Sequence, residues 1–326
     1  MNEQADYLIS IVVPVYSEQD VLPEFHDRLS KVCKKLPFQF EIVYVNDGSE
    51  DNTLIILDEL YASDDRVTIV DFSRNFGKEI ALTAGLHKAK GDAVIVIDAD
   101  LQDPPELIPE LIKEWQSGYD VVYAKRSRRK GETAFKKLTA HAFYRVIGIF
   151  SRVKIPEDTG DYRLLSRRAV DALNTLAEHH RFMKGLFAWI GYKQKAVFYD
   201  RDPRLVGTTK WNYWQLWNLA IEGITSFTVA PLKLATYIGL VTATGAFGYG
   251  LYMLVSTLIF GNPVPGYPSL IVIVLFLGGI QLLFIGVLGE YIGRIFNETK
   301  RRPLYFLNEY RQRRAAGQSS RSSSED

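Results

Sequence analysis

The chain has 326 residues and a formal net charge of +1, from 39 Lys and Arg against 38 Asp and Glu. That balance gives no electrostatic case for a nucleic-acid partner, which needs a basic surface field. A single cysteine, Cys33, excludes a disulfide framework and a thiolate metal site, and five histidines without an i,i+4 pair leave no zinc motif.

The polar, acidic start Met1-Asn2-Glu3-Gln4-Ala5-Asp6 predicts no cleaved signal peptide. Apolar runs at Ile9–Val15, Phe40–Val45, Val67–Phe72, Ala93–Ile97 and Val121–Tyr123 predict strands. Helical patterns lie between them, around Val21–Leu36, Thr53–Ala62, Glu79–Lys88 and Leu107–Gln116. This alternation predicts an α/β domain with a mostly parallel sheet and helices on both faces. Cys33 falls within the first helical pattern and is expected to be a small core hydrophobe. No Gly-x-Gly-x-x-Gly follows a strand and no Gly-Lys-Ser/Thr loop exists, so ordinary dinucleotide and P-loop sites are not predicted.

Each strand instead runs into polar residues of a different kind. The first ends in Pro14-Val15-Tyr16-Ser17-Glu18, the second in Asn46-Asp47-Gly48-Ser49, and the third in Ser73-Arg74-Asn75-Phe76-Gly77-Lys78. The fourth ends in Asp98-Ala99-Asp100 after the β-branched run Val94–Ile97. Ligands of open α/β sheets bind beyond the carboxyl ends of the strands. Asp98 and Asp100 are two apart, so an extended chain points both the same way. Like charges so placed favour a cation between them and their ligand. Asp103, followed by Pro104, Pro105 and Glu106, reads as a helix N-cap with a capping-box glutamate. Asp98, Asp100 and Gln102 therefore remain for chemistry.

Further along, Lys125, Arg126, Arg128, Arg129, Lys130, Lys136 and Lys137 form a basic run. Residues 135–153 and 211–227 read as interfacial helices, the second carrying Trp211, Tyr213, Trp214 and Trp217. Between Lys233 and Glu290 there is no charged side chain. Leu234–Phe260 and Leu270–Ile292 are each long enough for a bilayer core of about 30 Å. The connector between them is short and rich in Gly and Pro. Arg294, Lys300, Arg301, Arg302, Arg311, Arg313 and Arg314 follow, whereas the connector has no Lys or Arg. The positive-inside rule then places the N-terminal domain and both termini in the cytoplasm, with the hairpin in the cell membrane. Gly239, Gly245, Gly248, Gly278 and Gly279 would let the hairpin pack into a homo-oligomer. Four parts are expected: 1–133, the α/β core; 134–228, a part with interfacial helices; 229–293, the transmembrane hairpin; and 294–326, a basic tail whose Ser-rich end is disordered.

These motifs resemble the GT-A glycosyltransferases, specifically the family 2 enzymes that load a sugar onto polyprenyl phosphate. The likeness covers nearly the whole chain and extends to Thr159-Gly160-Asp161-Tyr162-Arg163-Leu164, Arg181-Phe182 and Gly207-Thr208-Thr209-Lys210-Trp211. Its layout is most similar to the bacterial glucosyltransferases of O-antigen modification, with dolichyl-phosphate mannose synthases more distant. Ser17 and Thr209 depart from the Asn and Ser usual there. The resemblance implies an inverting transfer of a hexose, glucose foremost, from a UDP-sugar to polyprenyl (undecaprenyl) phosphate. It implies that Pro14, Tyr16, Glu18, Asp47, Lys78 and Asp98 bind the nucleotide, and that Asp100 and Gln102 face Mg²⁺ or Mn²⁺ on the diphosphate. Arg126, Arg163, Arg204 and Lys210 would meet the acceptor phosphate, and Asp161, with Asp100, would be catalytic. A phosphate monoester is mostly deprotonated at neutral pH, its second pKa being about 6. Asp161 could therefore orient the acceptor or offset nearby positive charge rather than act as a base. A processive polysaccharide synthase is the alternative enzyme, but the chain has no Gln-x-x-Arg-Trp motif and two helices make a poor pore. A non-enzymatic membrane scaffold is the other alternative, and intact Asp98, Asp100 and Asp161 speak against it.

Overall fold

The computed structural model describes residues 7–126, 159–176, 178–179, 181–199, 230–260 and 266–313. Two compact units result, one built from the sheet and its helices together with the residues from 302 onward, the other containing residues 230–301.

In the first unit, β1 (Leu8–Val15), β2 (Gln39–Asn46), β3 (Val67–Phe72) and β4 (Ala93–Val96) alternate with α1 (Leu22–Lys34), α2 (Thr53–Ser63) and α3 (Lys78–Lys88). After α4 (Ile108–Gln116) come β5 (Val121–Arg126), β6 (Thr159–Ser166), α5 (Arg167–Asn174), α6 (Met183–Trp189) and β7 (Gln194–Tyr199). A last strand, β8 (Leu307–Arg311), completes an eight-stranded sheet of order β7-β5-β6-β4-β1-β2-β3-β8. The β1–β2, β1–β4, β2–β3 and β5–β7 pairs are parallel, whereas β6 runs antiparallel to β4 and β5, and β8 antiparallel to β3.

The elements follow the local pattern. Strands β1 to β4 are buried along nearly their whole length, as their continuous β-branched runs require when helices cover both faces. On α1, Leu22, Phe25, Leu29, Val32 and Cys33 recur at three- and four-residue spacing and are buried against the sheet. Helix α3 lies so close to β1 that a Cβ at Gly85 would sit 2.2 Å from Val12 Cγ1.

Two expectations are corrected. Asp103 does not cap a helix: a 3₁₀ turn starts at Pro105 with Pro104 at its N-cap position, and no side chain caps it. The two prolines move the start by one residue, from Pro104 to Pro105, and the buried carboxylate of Asp103 accepts the Tyr199 hydroxyl instead. Glu106 pairs with Arg28 across α1, Oε2 to Nη2 at 2.8 Å, rather than closing a capping box. The segment from residue 294, expected as a basic tail, continues the second long helix to Thr299 and then returns to the sheet as β8. Arg311 there is spent on Asp58 at 2.6 Å, and Arg313 on the carbonyl of Tyr61 at 2.7 Å.

The second unit contains α7 (Ala230–Phe260, 31 residues) and α8 (Tyr267–Thr299, 33 residues). Both are long and apolar enough to cross a membrane. Their large apolar side chains, among them Leu240, Phe247, Leu258 and Leu282, are exposed, as befits helices solvated by lipid. The expected interfacial helices at 135–153 and 211–227 lie outside the described residues.

Candidate active site

The carboxyl ends of β1 and β2 are tied into one wall. Ser17, with φ +54°, donates its amide to Ser49 Oγ at 2.9 Å, and the Glu18 amide reaches Thr53 Oγ1 at 3.0 Å. Tyr16 stands exposed at the tip of β1. Gly48 is required twice over: its φ is +64°, and a Cβ there would meet the Arg74 carbonyl carbon at 2.4 Å. This approach lets buried Asp47 accept the amides of Phe76 and Gly77 at 2.7 and 3.0 Å. Burial raises the Asp47 carboxyl above its ordinary pKa, against those two amides and Arg74. A cavity of about 360 Å³ opens beside these tips, with Asn46, Ser49, Asp71, Arg74 and Asn308 in its lining.

One residue beyond Gly77, Lys78 opens α3, and its Nζ lies 2.7 Å from both Asp98 Oδ2 and Asp161 Oδ2. The β4–β6 ladder explains this meeting. It pairs Ala93 with Ser166 and Val96 with Arg163, so two further steps bring Asp98 opposite Asp161. In the turn after β4, Ala99, Leu101 and Gln102 are buried while Asp98 and Asp100 are half-exposed. Leu101 holds φ +59° although it is not glycine, and the Gln102 amide donates to Asp100 Oδ1 at 3.1 Å. A left-handed branched side chain is a strained conformation of the kind that gathers at binding turns.

The charges are strongly coupled. Burial would lower Lys78, but Asp98 and Asp161 push it well above the ordinary lysine range, so it remains a cation. Burial would raise Asp161, yet Lys78, Lys184 and Arg163 hold it well below the usual carboxylate range. Asp98 moves the other way: burial raises it, with repulsion from Asp161 and Asp100 added, against the pull of Lys78. Burial and the charge of Asp161 also push Glu79 up to about 7. Asp161 is only 7% exposed, and its Oδ1 is buried with no hydrogen-bond partner among the described residues.

Arg163 has surroundings unlike those expected of an acceptor-phosphate ligand. It is 4% exposed, donates to the carbonyls of Gly160 and Asp161 at 2.8 and 3.2 Å, and stacks on the Phe187 ring at 3.8 Å. Those bonds make it a brace for the Asp161 backbone. Burial lowers its pKa to about 10, against the pull of Asp161 and Glu79. Arg126 closes β5 beside Tyr199 with its Nε buried and unpartnered among the described residues. Arg204 and Lys210 lie outside the described residues. Glu79 and Lys184 were missed from the sequence. Adjacency to Lys78 was a signal for Glu79, but nothing local marks Lys184, which α6 brings in. A separate hollow of about 560 Å³ around His26, Asp64 and Arg66 sits by the start of β3, the end of the strand opposite these tips, and its polar groups pair with one another.

Residues 10–173 match the glycosyl transferase family 2 model, and residues 230–295 match the GtrB C-terminal hairpin. The chain is 53% identical over 301 residues to an uncharacterized glycosyltransferase of Synechocystis sp., covering 92% of this chain and 95% of that one. It is 51% identical over 305 residues to the bactoprenol glucosyl transferase of Shigella phage SfV, covering 94% and 99%. A prophage bactoprenol glucosyl transferase homolog of Escherichia coli (strain K12) is 52% identical over 299 residues, covering 92% and 98%. The chain belongs to glycosyl transferase family 2, a glycosyltransferase whose GT-A-like sheet is followed by a GtrB-type C-terminal hairpin.

Proposed function

We propose that this enzyme moves a hexose, glucose foremost, from a UDP-sugar to polyprenyl phosphate at the cytoplasmic face of the membrane. Relatives named bactoprenol glucosyl transferases, 51 and 52% identical across nearly their full length, support the acceptor and the sugar. The observation that carries the reading is Asp161: an ionised carboxylate with one oxygen on Lys78 and the other buried without a hydrogen-bond partner among the described residues, where β4, β6 and the start of α3 converge.

Chemically, a phosphate oxygen of the acceptor attacks the anomeric carbon as its bond to the β-phosphate oxygen of UDP breaks, which inverts the centre. The charge released stays on UDP, and Lys78 is the protein cation suited to meet it. Asp161, held far below neutrality, is a weak base, and the acceptor phosphate needs none because its second pKa is about 6. Its Oδ1, unpartnered among the described residues, instead suits a hydroxyl donor of the sugar or the acceptor, so Asp161 orients its partner and keeps Lys78 charged. Arg126 and, from the resemblance, Arg204 and Lys210 meet the acceptor phosphate. Arg163 supports Asp161 from behind.

Asp100 and Gln102, with Asp98 alongside, form a sparse set of hard oxygen donors. Among the described residues no three His, Cys, Asp or Glu side chains gather into a cage. Such a set fits Mg²⁺ or Mn²⁺, ions that complete their shells with substrate phosphates and water and supply Lewis-acid neutralisation of a departing diphosphate. The rest of the acceleration comes from holding two anions in line in a preorganised field.

The test is transfer itself. Purified protein is given UDP-[¹⁴C]glucose, Mn²⁺ and undecaprenyl phosphate, and the products are partitioned into organic solvent. Label in a lipid cleaved by mild acid is expected. Label in insoluble polymer, or no label with any UDP-hexose, would overturn the reading.

A further inference from the structure

We infer that Asn308, supplied by the strand that follows the second long apolar helix, is a positioning residue for the nucleotide-side turn Asn46–Ser49 and thereby sets donor affinity. The inference rests on the reading of that turn as part of the UDP site.

The first observation is a break in the ladder. β8 pairs with β3 through Asp71 opposite Glu309 and Phe72 opposite Leu307, which leaves Asn308 as the extra residue of a bulge. Bulges re-aim side chains, and this one turns Asn308 onto a buried carboxylate. Asn308 Nδ2 donates to Asp71 Oδ2 at 2.8 Å, and Asn46 Nδ2 donates to Asp71 Oδ1 at 2.7 Å. Asn46 Oδ1 in turn accepts Ser49 Oγ at 2.6 Å, and Ser49 Oγ accepts the Ser17 amide at 2.9 Å. The relay thus runs from β8 through β3 and β2 to the tip of β1.

The second observation is burial. Asp71 is 4% and Asn46 1% exposed, so apart from the cavity that both line with Asn308, neither meets solvent. With each Asp71 oxygen taking one amide, Asn46 is held with its carbonyl oxygen toward Ser49. Without Asn308, Asp71 loses one of its two amide donors and competes for Asn46 and Ser49, and the turn carrying Asp47 shifts. The segment is fastened just upstream as well: the Ser73 amide donates to the Phe306 carbonyl at 3.0 Å, and Tyr305 stacks on Phe72 at 5.0 Å. Only Asn308 of these contacts feeds the side-chain relay. Nothing in the residues 307–311 considered alone marks this role.

The test uses the full-length protein in detergent, with UDP binding measured calorimetrically in Mn²⁺ and steady-state kinetics with UDP-glucose and undecaprenyl phosphate. Asn308→Ala is expected to raise the UDP Kd and the donor KM about tenfold while kcat changes less than about twofold, the signature of lost positioning at the base end. Asn308→Asp keeps the shape but sets two carboxylates face to face. Its UDP binding should be weaker still at pH 8 and move back toward wild type at pH 6, as the pair takes up a proton. Arg311→Ala cuts the tie of the same strand to Asp58 outside the relay. It should lower the Tm with the UDP Kd unchanged. An unchanged Kd in both Asn308 variants, or equal Kd shifts in Asn308→Ala and Arg311→Ala, overturns the inference. Asp47→Ala separates the two levels. If it also leaves UDP binding intact, the nucleotide reading itself fails; if it abolishes binding while the Asn308 variants do not, only the positioning role fails.

Discussion

Replacing Lys78 by Met removes the ammonium that lies 2.7 Å from both Asp98 and Asp161 while nearly keeping the length of the side chain. Breaking a buried ion pair from one side costs about 3–5 kcal/mol. Lys78 is 45% exposed, and solvent screening reduces that figure to about 2 kcal/mol. For a domain of this size the loss corresponds to a fall in Tm of about 4–8 °C near neutral pH. The sign of the pH dependence follows from what remains. In the wild type Asp161 lies below its unfolded value, so its stabilisation is present above the unfolded pKa and is lost only as pH falls through the folded one. In Lys78→Met burial acts on two neighbouring carboxylates without that cation, so the pair is expected to hold a proton at a raised pKa. Stability of the variant is then greatest in acid and declines as pH rises through that value. Differential scanning fluorimetry from pH 5 to 8.5 reads this as a Tm deficit that widens with pH, and transfer should fall by about 10²–10³-fold because a preorganised charge is gone. A variant whose Tm runs parallel to wild type across that range would refute the coupling of the three side chains.

Glu79, pushed up to about 7, gives the wild type its own pH signature. A folded-state value above the unfolded one stabilises fully below the unfolded pKa and is lost as pH rises through about 7, so Glu79→Gln should flatten the fall in Tm between about pH 4.5 and 7. Asp100→Ala should abolish transfer together with metal-dependent UDP binding, whereas metal-independent folding stays intact. Undiminished wild-type turnover in EDTA would remove the metal role. Gly48→Ala should destabilise the domain by more than about 2 kcal/mol, since it combines a left-handed φ with a Cβ clash against the backbone of Arg74. A chemical denaturation curve with an unmoved midpoint would contradict that.

Local chemistry determined the βα alternation of the first half, because β1 to β4 are apolar runs rich in β-branched residues and α1 and α4 each carry an apolar stripe within a single element. It also determined the two charge-free spans, since length and lack of charge are properties of a segment rather than of a fold. A period of two for Asp98-x-Asp100 requires extended chain, whereas β4 ends at Val96 and both acids sit in the turn beyond it. Where neighbours in space are far apart in sequence, the tertiary structure decided. Asp98 and Asp161 meet through the register of β4 against β6, and no periodicity encodes a register between strands so far apart. Arg163 carries the same charge whether it faces a phosphate or braces a backbone, and only its burial beneath Phe187 separates the two. Asp103 showed the sequence of a cap, but the prolines displaced the helix start and β7 supplied Tyr199. β8 was the least visible element. Edge strands are short and charged, which blunts the alternation that would reveal them, and Leu-Asn-Glu-Tyr-Arg gains its meaning only when it pairs with β3 from beyond the apolar hairpin.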